Sequence, residues 1–186
     1  MELSAPVWRV HRTSGAHVLA WNELRTFGFL PTMRWDPHPA PATEQRDFGV
    51  LYAAGDIETC LAEAFQAGRR VDTTAGDPAL TMWTPARTLH LLNITDTWPI
   101  RNGAAAALDS GPRSTCRAWA HAIHQTWPDL DGIYTRSTMT GRPSVVFWHN
   151  ASDAIPTAPE FSRELAHPML WSIVDQLAAG IGYKTT

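Results

Sequence analysis

The side chains of this chain that could do chemistry do not fall into a generic catalytic motif. No P-loop, G-x-G-x-x-G, HExxH or G-x-S-x-G stretch occurs. His, Asp and Ser are present, as they are in any chain of this length. Cys60 and Cys116 lie among apolar neighbours in helical segments, with no metal-ligand spacing around them. They read as small core hydrophobes rather than as nucleophiles or a disulfide. What is left is a set of single polar residues in informative places. Arg9 stands inside the apolar run VWRV. If buried there it must meet an anion or a carboxylate, and edge exposure is an equally good reading. Arg34 starts a Pro-rich loop, Tyr52 lies near the end of an apolar run, and Glu63 follows it on a helix. Guanidinium groups bind anions, and a fixed carboxylate stabilises positive charge or orients a hydroxyl.

The elements that must position these groups centre on Phe48–Phe65, FGVLYAAGDIETCLAEAF. Gly49 to Ala53 has the composition of a buried strand. Gly55-Asp56 breaks it, and Asp56 is placed to cap the helix that follows. Ile57, Cys60, Leu61, Ala64 and Phe65 give that helix its apolar stripe, and Gly68 is placed to end it. Glu63 lies roughly 130° from the centre of the stripe at 100° per residue, so periodicity alone makes it a solvated surface residue.

Around this unit the spacing predicts a strand over Val7–Val10 and a short helix over Val18–Phe27, then a long Pro-rich loop through Gly49. Strands follow at Leu80–Trp83 and Thr88–Ile94, and a short helix at Ala104–Leu108. A longer helix over Thr115–Trp127 would be capped by Ser114 and stopped by Pro128. Ile133–Ser137 and Ser144–His149 read as a hairpin, and Met169–Ala179 as a C-terminal helix. At 186 residues this is one domain, 1–186, of the α+β class, with a central, mostly antiparallel sheet and surrounding helices.

A formal net charge of −3 gives no basic footprint for nucleic acid. The N-terminal residues lack the character of a signal peptide, and no apolar run is long enough to span a membrane, so the expected location is cytoplasmic.

The ordered set VWRV, MRWD, GVLYAAGDIETCLAEAF and LDGIYTRS followed by SVVFW resembles the RES domain family, named for its Arg, Glu and Ser. The resemblance runs from about Val7 to Trp148, and it is carried by the order of the pieces and the Tyr52-to-Glu63 spacing. It implies an ADP-ribosyltransferase-like fold. It assigns Arg34, Tyr52, Glu63 and Ser137 to the catalytic set, with Arg9 joining Arg34, Tyr52 and Ser137 in substrate binding. The implied substrate is NAD⁺, with no metal. The implied activity is breakdown of NAD⁺ by phosphorolysis or hydrolysis, or transfer of ADP-ribose to a protein. The implied partner is a cognate antitoxin; a non-catalytic binding module on the same fold and a homo-oligomer are left open. The sequence departs from the family in Thr32-Met33, where Gly often precedes the Arg, in Asp36, where Asn is common, and in its long Pro-rich loop.

The residue types suit that substrate. Arg forks a pyrophosphate, and an aromatic ring meets the flat nicotinamide cation. Cleavage of the N-glycosidic bond builds positive charge on the ribose, which a carboxylate such as Glu63 can stabilise. Ser137 can hold the nicotinamide amide or a ribose hydroxyl. Nicotinamide leaves neutral, so one carboxylate suffices.

Overall fold

A computed structural model describes residues 1–186. In chain order the strands and helices are β1 (Glu2–Leu3), β2 (Val7–Arg12), β3 (Phe27–Gly28), β4 (Thr43–Glu44), β5 (Val50–Ala54), α1 (Ile57–Ala64), β6 (Arg70–Val71), β7 (Pro78–Trp83), β8 (Leu89–Asn93), α2 (Trp98–Arg101), α3 (Arg113–Thr126), β9 (Gly132–Arg136), β10 (Pro143–Trp148), β11 (Phe161–Glu164), α4 (Pro168–Gly180) and β12 (Lys184–Thr185). Eight strands form one sheet in the order β1-β8-β9-β10-β5-β2-β7-β11. All neighbours are antiparallel except β8 and β9. This is the α+β, mostly antiparallel architecture expected.

The period-2 alternation of the strands sorts the core. Leu51, Ala53, Val145 and Phe147 point to one face, where they pack with Val7, Trp83, Leu89 and Leu91. Val50, Val146 and Trp148 point to the other, where Cys116, Ala120 and Ile123 of α3 cover them together with Trp35. A third cluster joins Leu61 of α1 to Leu80, Leu165, Val174 and Ala178, which seats α1 and α4 on the β7 half of the sheet. β5 and β2 share a single registered pair, Trp8 with Ala54, so the two halves of the sheet meet loosely at the point where α1 starts.

The hairpin β9–β10 forms as expected, Tyr134 opposite Val145. Gly132 opens it with φ +149°, and a Cβ there would collide with the Val146 carbonyl. Both cysteines are buried and free.

The structure differs from the sequence reading at several elements. Val18–Phe27 is not helical, because the Arg25 backbone pairs in both directions with Val50, N to O at 2.9 and 3.0 Å, which holds it extended. The short helix expected at Ala104–Leu108 does not form; a helix, α2, instead covers Trp98–Arg101 with Pro99 in its first turn, and Leu108–Ser110 forms one 3₁₀ turn. α3 begins at Arg113 after Pro112, with no side-chain cap from Ser114. α1 ends at Ala64, and Arg69 rather than Gly68 takes the left-handed backbone. β2 is interior, between β5 and β7, which removes the edge reading of Arg9.

Candidate active site

Glu63 reaches the site through a well-anchored helix. Asp56 has extended backbone and its carboxylate accepts from Thr59 N at 2.8 Å and Thr59 Oγ1 at 3.1 Å, closing the first turn of α1. Two turns on, Glu63 is half-buried rather than solvated. Its Oε1 accepts a hydrogen bond from Ser137 Oγ at 2.5 Å. Its Oε2 accepts from Gln66 Nε2 at 3.1 Å, and the same amide donates to the Glu63 carbonyl at 2.9 Å. Both carboxylate oxygens are therefore oriented.

Ser137 arrives from the end of β9 and is 3 % exposed. Its Oγ also accepts from the N–H groups of Met139 and Thr140, at 3.1 and 3.2 Å, so it starts the following turn as well as holding Glu63. That turn is fastened to α1. Thr140 Oγ1 lies 3.0 Å from Thr59 Oγ1, and Arg142 pairs with Glu58.

The other three residues named from sequence make no hydrogen bond to the Glu63–Ser137 pair. Arg34 Nη1 donates to the Gly111 carbonyl and lies 3.6 Å from Cys116 Sγ. It thereby braces the Leu108–Gly111 segment. Tyr52 lies on the α3 face of β5, and its hydroxyl is buried without a hydrogen-bond partner. Burial pushes the phenol up, and the nearby Asp36 charge adds to that against Arg25. Arg9 Nη1 donates to the Trp21 carbonyl at 2.8 Å, so a main-chain oxygen takes the place of the expected carboxylate. Burial lowers its pKa to about 10 against the pull of Glu23, and the group stays cationic at neutral pH.

Arg34 is positioned by a hub two residues later. Asp36 is fully buried, accepting from Arg25 Nη2 at 2.7 Å, Leu30 N at 2.9 Å, His38 N at 3.2 Å and His38 Nδ1. Burial pushes its carboxyl up, but these hydrogen bonds and the Arg25 charge outweigh burial and bring it down to about 2.

A cavity of about 440 Å³ adjoins Ser137 and is lined by Asp109, Ser110, Arg136, Ser137, Thr138 and Gly141 among others. A cavity of this size, with apolar wall between a few charged and hydroxyl groups, suits a small-molecule site. Asp109 and Ser110 of the cavity wall belong to the segment whose Gly111 carbonyl Arg34 holds, and Arg113 Nη2 reaches the Gln66 amide oxygen at 3.2 Å. Gln66, Arg113 and Asp109 were not singled out from sequence. The only signal for Gln66 was its i+3 position from Glu63 on a helix.

The RES domain family model matches residues 6–169. A chain of the M. tuberculosis MbcT–MbcA toxin–antitoxin complex superposes with a TM-score of 0.63 at 21 % identity, over 96 % of this chain and 91 % of that one. No curated protein matches the chain in sequence. The fold is thus shared with a solved toxin–antitoxin component, and the family match spans most of the sheet and all the site residues described above: this chain belongs to the RES domain family.

Proposed function

We propose that this chain cleaves the nicotinamide N-glycosidic bond of NAD⁺ and acts in the cytoplasm as the toxin of a toxin–antitoxin pair. The observation that carries the proposal is the Glu63–Ser137 pair: a half-buried carboxylate, fixed at both oxygens, bonded to a serine that lines a cavity. In the reaction the C1′–N bond breaks and its electron pair leaves with the pyridine ring, which becomes neutral nicotinamide. The ribose carries the positive charge, and Glu63 stabilises it. An oxygen of phosphate or water then bonds to C1′; water gives up a proton, while the phosphate dianion loses one negative charge to the new C–O bond and gives a monoanionic ester, which releases its remaining proton to solvent. Ser137 holds Glu63 in place: its one O–H goes to Oε1 and its lone pairs to the Met139 and Thr140 N–H groups. Arg34 and Arg9 supply positive charge for the pyrophosphate, and Tyr52, whose buried hydroxyl has no partner, supplies the aromatic face. An antitoxin is the partner expected from the likeness to the M. tuberculosis complex.

The test incubates purified protein with NAD⁺, with and without phosphate, and follows nicotinamide and the ribosyl product by chromatography. Nicotinamide release that needs phosphate and is lost in Glu63→Ala supports phosphorolysis; release without phosphate supports hydrolysis. Transfer of labelled ADP-ribose to lysate protein would move the acceptor to a protein side chain. No release and no transfer from folded protein would sink the enzymatic reading.

A further inference from the structure

The cavity beside Ser137 is walled by an anion and a cation that do not satisfy each other. Asp109 is 7 % exposed, and its carboxylate accepts one long hydrogen bond, from Ser110 Oγ at 3.3 Å. Arg136 Nη1 stands 3.7 Å from Asp109 Oδ2, beyond hydrogen-bond distance. Arg136 gives Nη2 to the Thr95 carbonyl at 2.6 Å and leaves the rest of its fork toward the cavity and solvent. A carboxylate has about four acceptor sites, and burying one with a single weak donor is costly.

The same fold makes a tight pair elsewhere. Arg87 meets Asp131 through two hydrogen bonds, at 2.9 and 2.8 Å, and reaches Asp153 and the Asn150 carbonyl besides. Asp109, buried like Asp131, lacks the close guanidinium contacts that Asp131 has. That leaves an acceptor and a donor both facing the cavity.

Ligand chemistry follows from that. A phosphate would satisfy Arg136 but meet repulsion from Asp109. An apolar group would strand both. A hydroxyl donates to the carboxylate and accepts from the guanidinium, and a vicinal diol supplies two such groups. We infer that Asp109 and Arg136 form a sugar-hydroxyl subsite that holds a ribose diol of the substrate next to Ser137. The assignment to a ribose of NAD⁺ rests on the dinucleotide reading above; the donor–acceptor pairing itself does not.

The test is binding without turnover. ADP-ribose and ADP are titrated calorimetrically into wild type, Asp109→Asn and Arg136→Gln, each checked for folding by circular dichroism. Both substitutions lower ADP-ribose affinity, by about tenfold for Asp109→Asn, the size of one hydrogen bond to a charged group. Loss on ADP-ribose alone assigns the terminal ribose to the subsite; loss on both ligands assigns the adenosine ribose. Unchanged affinity in either folded variant, or no binding of either ligand by wild type, overturns the inference. If wild type releases no nicotinamide and both variants still lose ADP-ribose affinity, the cleavage reading fails and the subsite stands.

Discussion

Asp36 and Glu63 are both carboxylates within reach of hydroxyls, amides and guanidinium groups, and they are built for opposite ends. Asp36 has no exposed surface and accepts four hydrogen bonds, two from charged or chargeable side chains and two from main-chain N–H groups. Nothing is left for a ligand. Glu63 is half-buried and accepts one hydrogen bond per oxygen, from two neutral groups that orient it without neutralising it. A saturated carboxylate ties a loop to a core; an oriented but under-coordinated one beside a cavity is available to a substrate. Substitutions can test this division directly.

The largest effect belongs to Asp36. Asp36→Ala leaves Arg25 and His38 facing a buried gap, and loss of one partner of such a set costs about 3–5 kcal/mol. Denaturant unfolding would show it as a lower midpoint. A change under 1 kcal/mol would mean that the hub carries no structural weight and that the contrast with Glu63 is empty.

Glu63→Gln reverses the pattern. The amide keeps the shape of the side chain, so stability changes by less than about 1 kcal/mol. Nicotinamide release falls about 10²–10³-fold, the scale of one lost electrostatic group at a charged transition state. Progress curves at saturating NAD⁺ measure the second quantity and unfolding curves the first. A variant that is unstable but active would interchange the two roles.

Acid separates them further. The Asp36 carboxyl sits at about 2 in the folded chain against an ordinary 3.8, so its ionised form favours folding. Its contribution, on the order of 2 kcal/mol, is complete above about pH 4 and is lost as pH falls toward 2. Stability measured over that window should drop more steeply in wild type than in Asp36→Asn, and parallel curves would refute the assignment.

What could be read from sequence follows the same division. The strand–turn–helix unit was legible because its signals are local: an apolar run, a Gly-Asp break, a capping carboxylate and an apolar stripe. The hairpin around Ser137 was legible for the same reason. The Val18–Phe27 segment was not. Its composition permits a helix, and only pairing with Val50, twenty-five residues on, holds it extended. In the site, Glu63 read as surface by periodicity, because its partner Ser137 lies seventy-four residues away and no local pattern encodes that contact. Only the family resemblance set the two together. Asp109 was hidden likewise, on a turn joined to the strand end of Arg136 only by the cavity. Asp36 was quoted as part of a motif, yet its role as a hub depends on Arg25, eleven residues upstream, which carried no signal of its own.

The finest test of the contrast lies in the two groups that hold Glu63. Ser137 does two jobs: it donates to Oε1 and it accepts from Met139 and Thr140 N–H groups. Ser137→Ala therefore lowers activity about tenfold and also costs about 1 kcal/mol of stability through the turn. Gln66 serves only orientation, since its amide bridges Glu63 Oε2, the Glu63 carbonyl and Arg113. Gln66→Ala leaves Oε1 held by Ser137, so the loss is about two- to threefold in kcat, with KM and stability near wild type. Measuring kcat and KM separately for the two variants distinguishes a carboxylate positioned from both sides from one that Ser137 alone aims. Equal losses in kcat would place the two supports on the same footing, and no loss in Gln66→Ala would leave Ser137 as the sole positioning group.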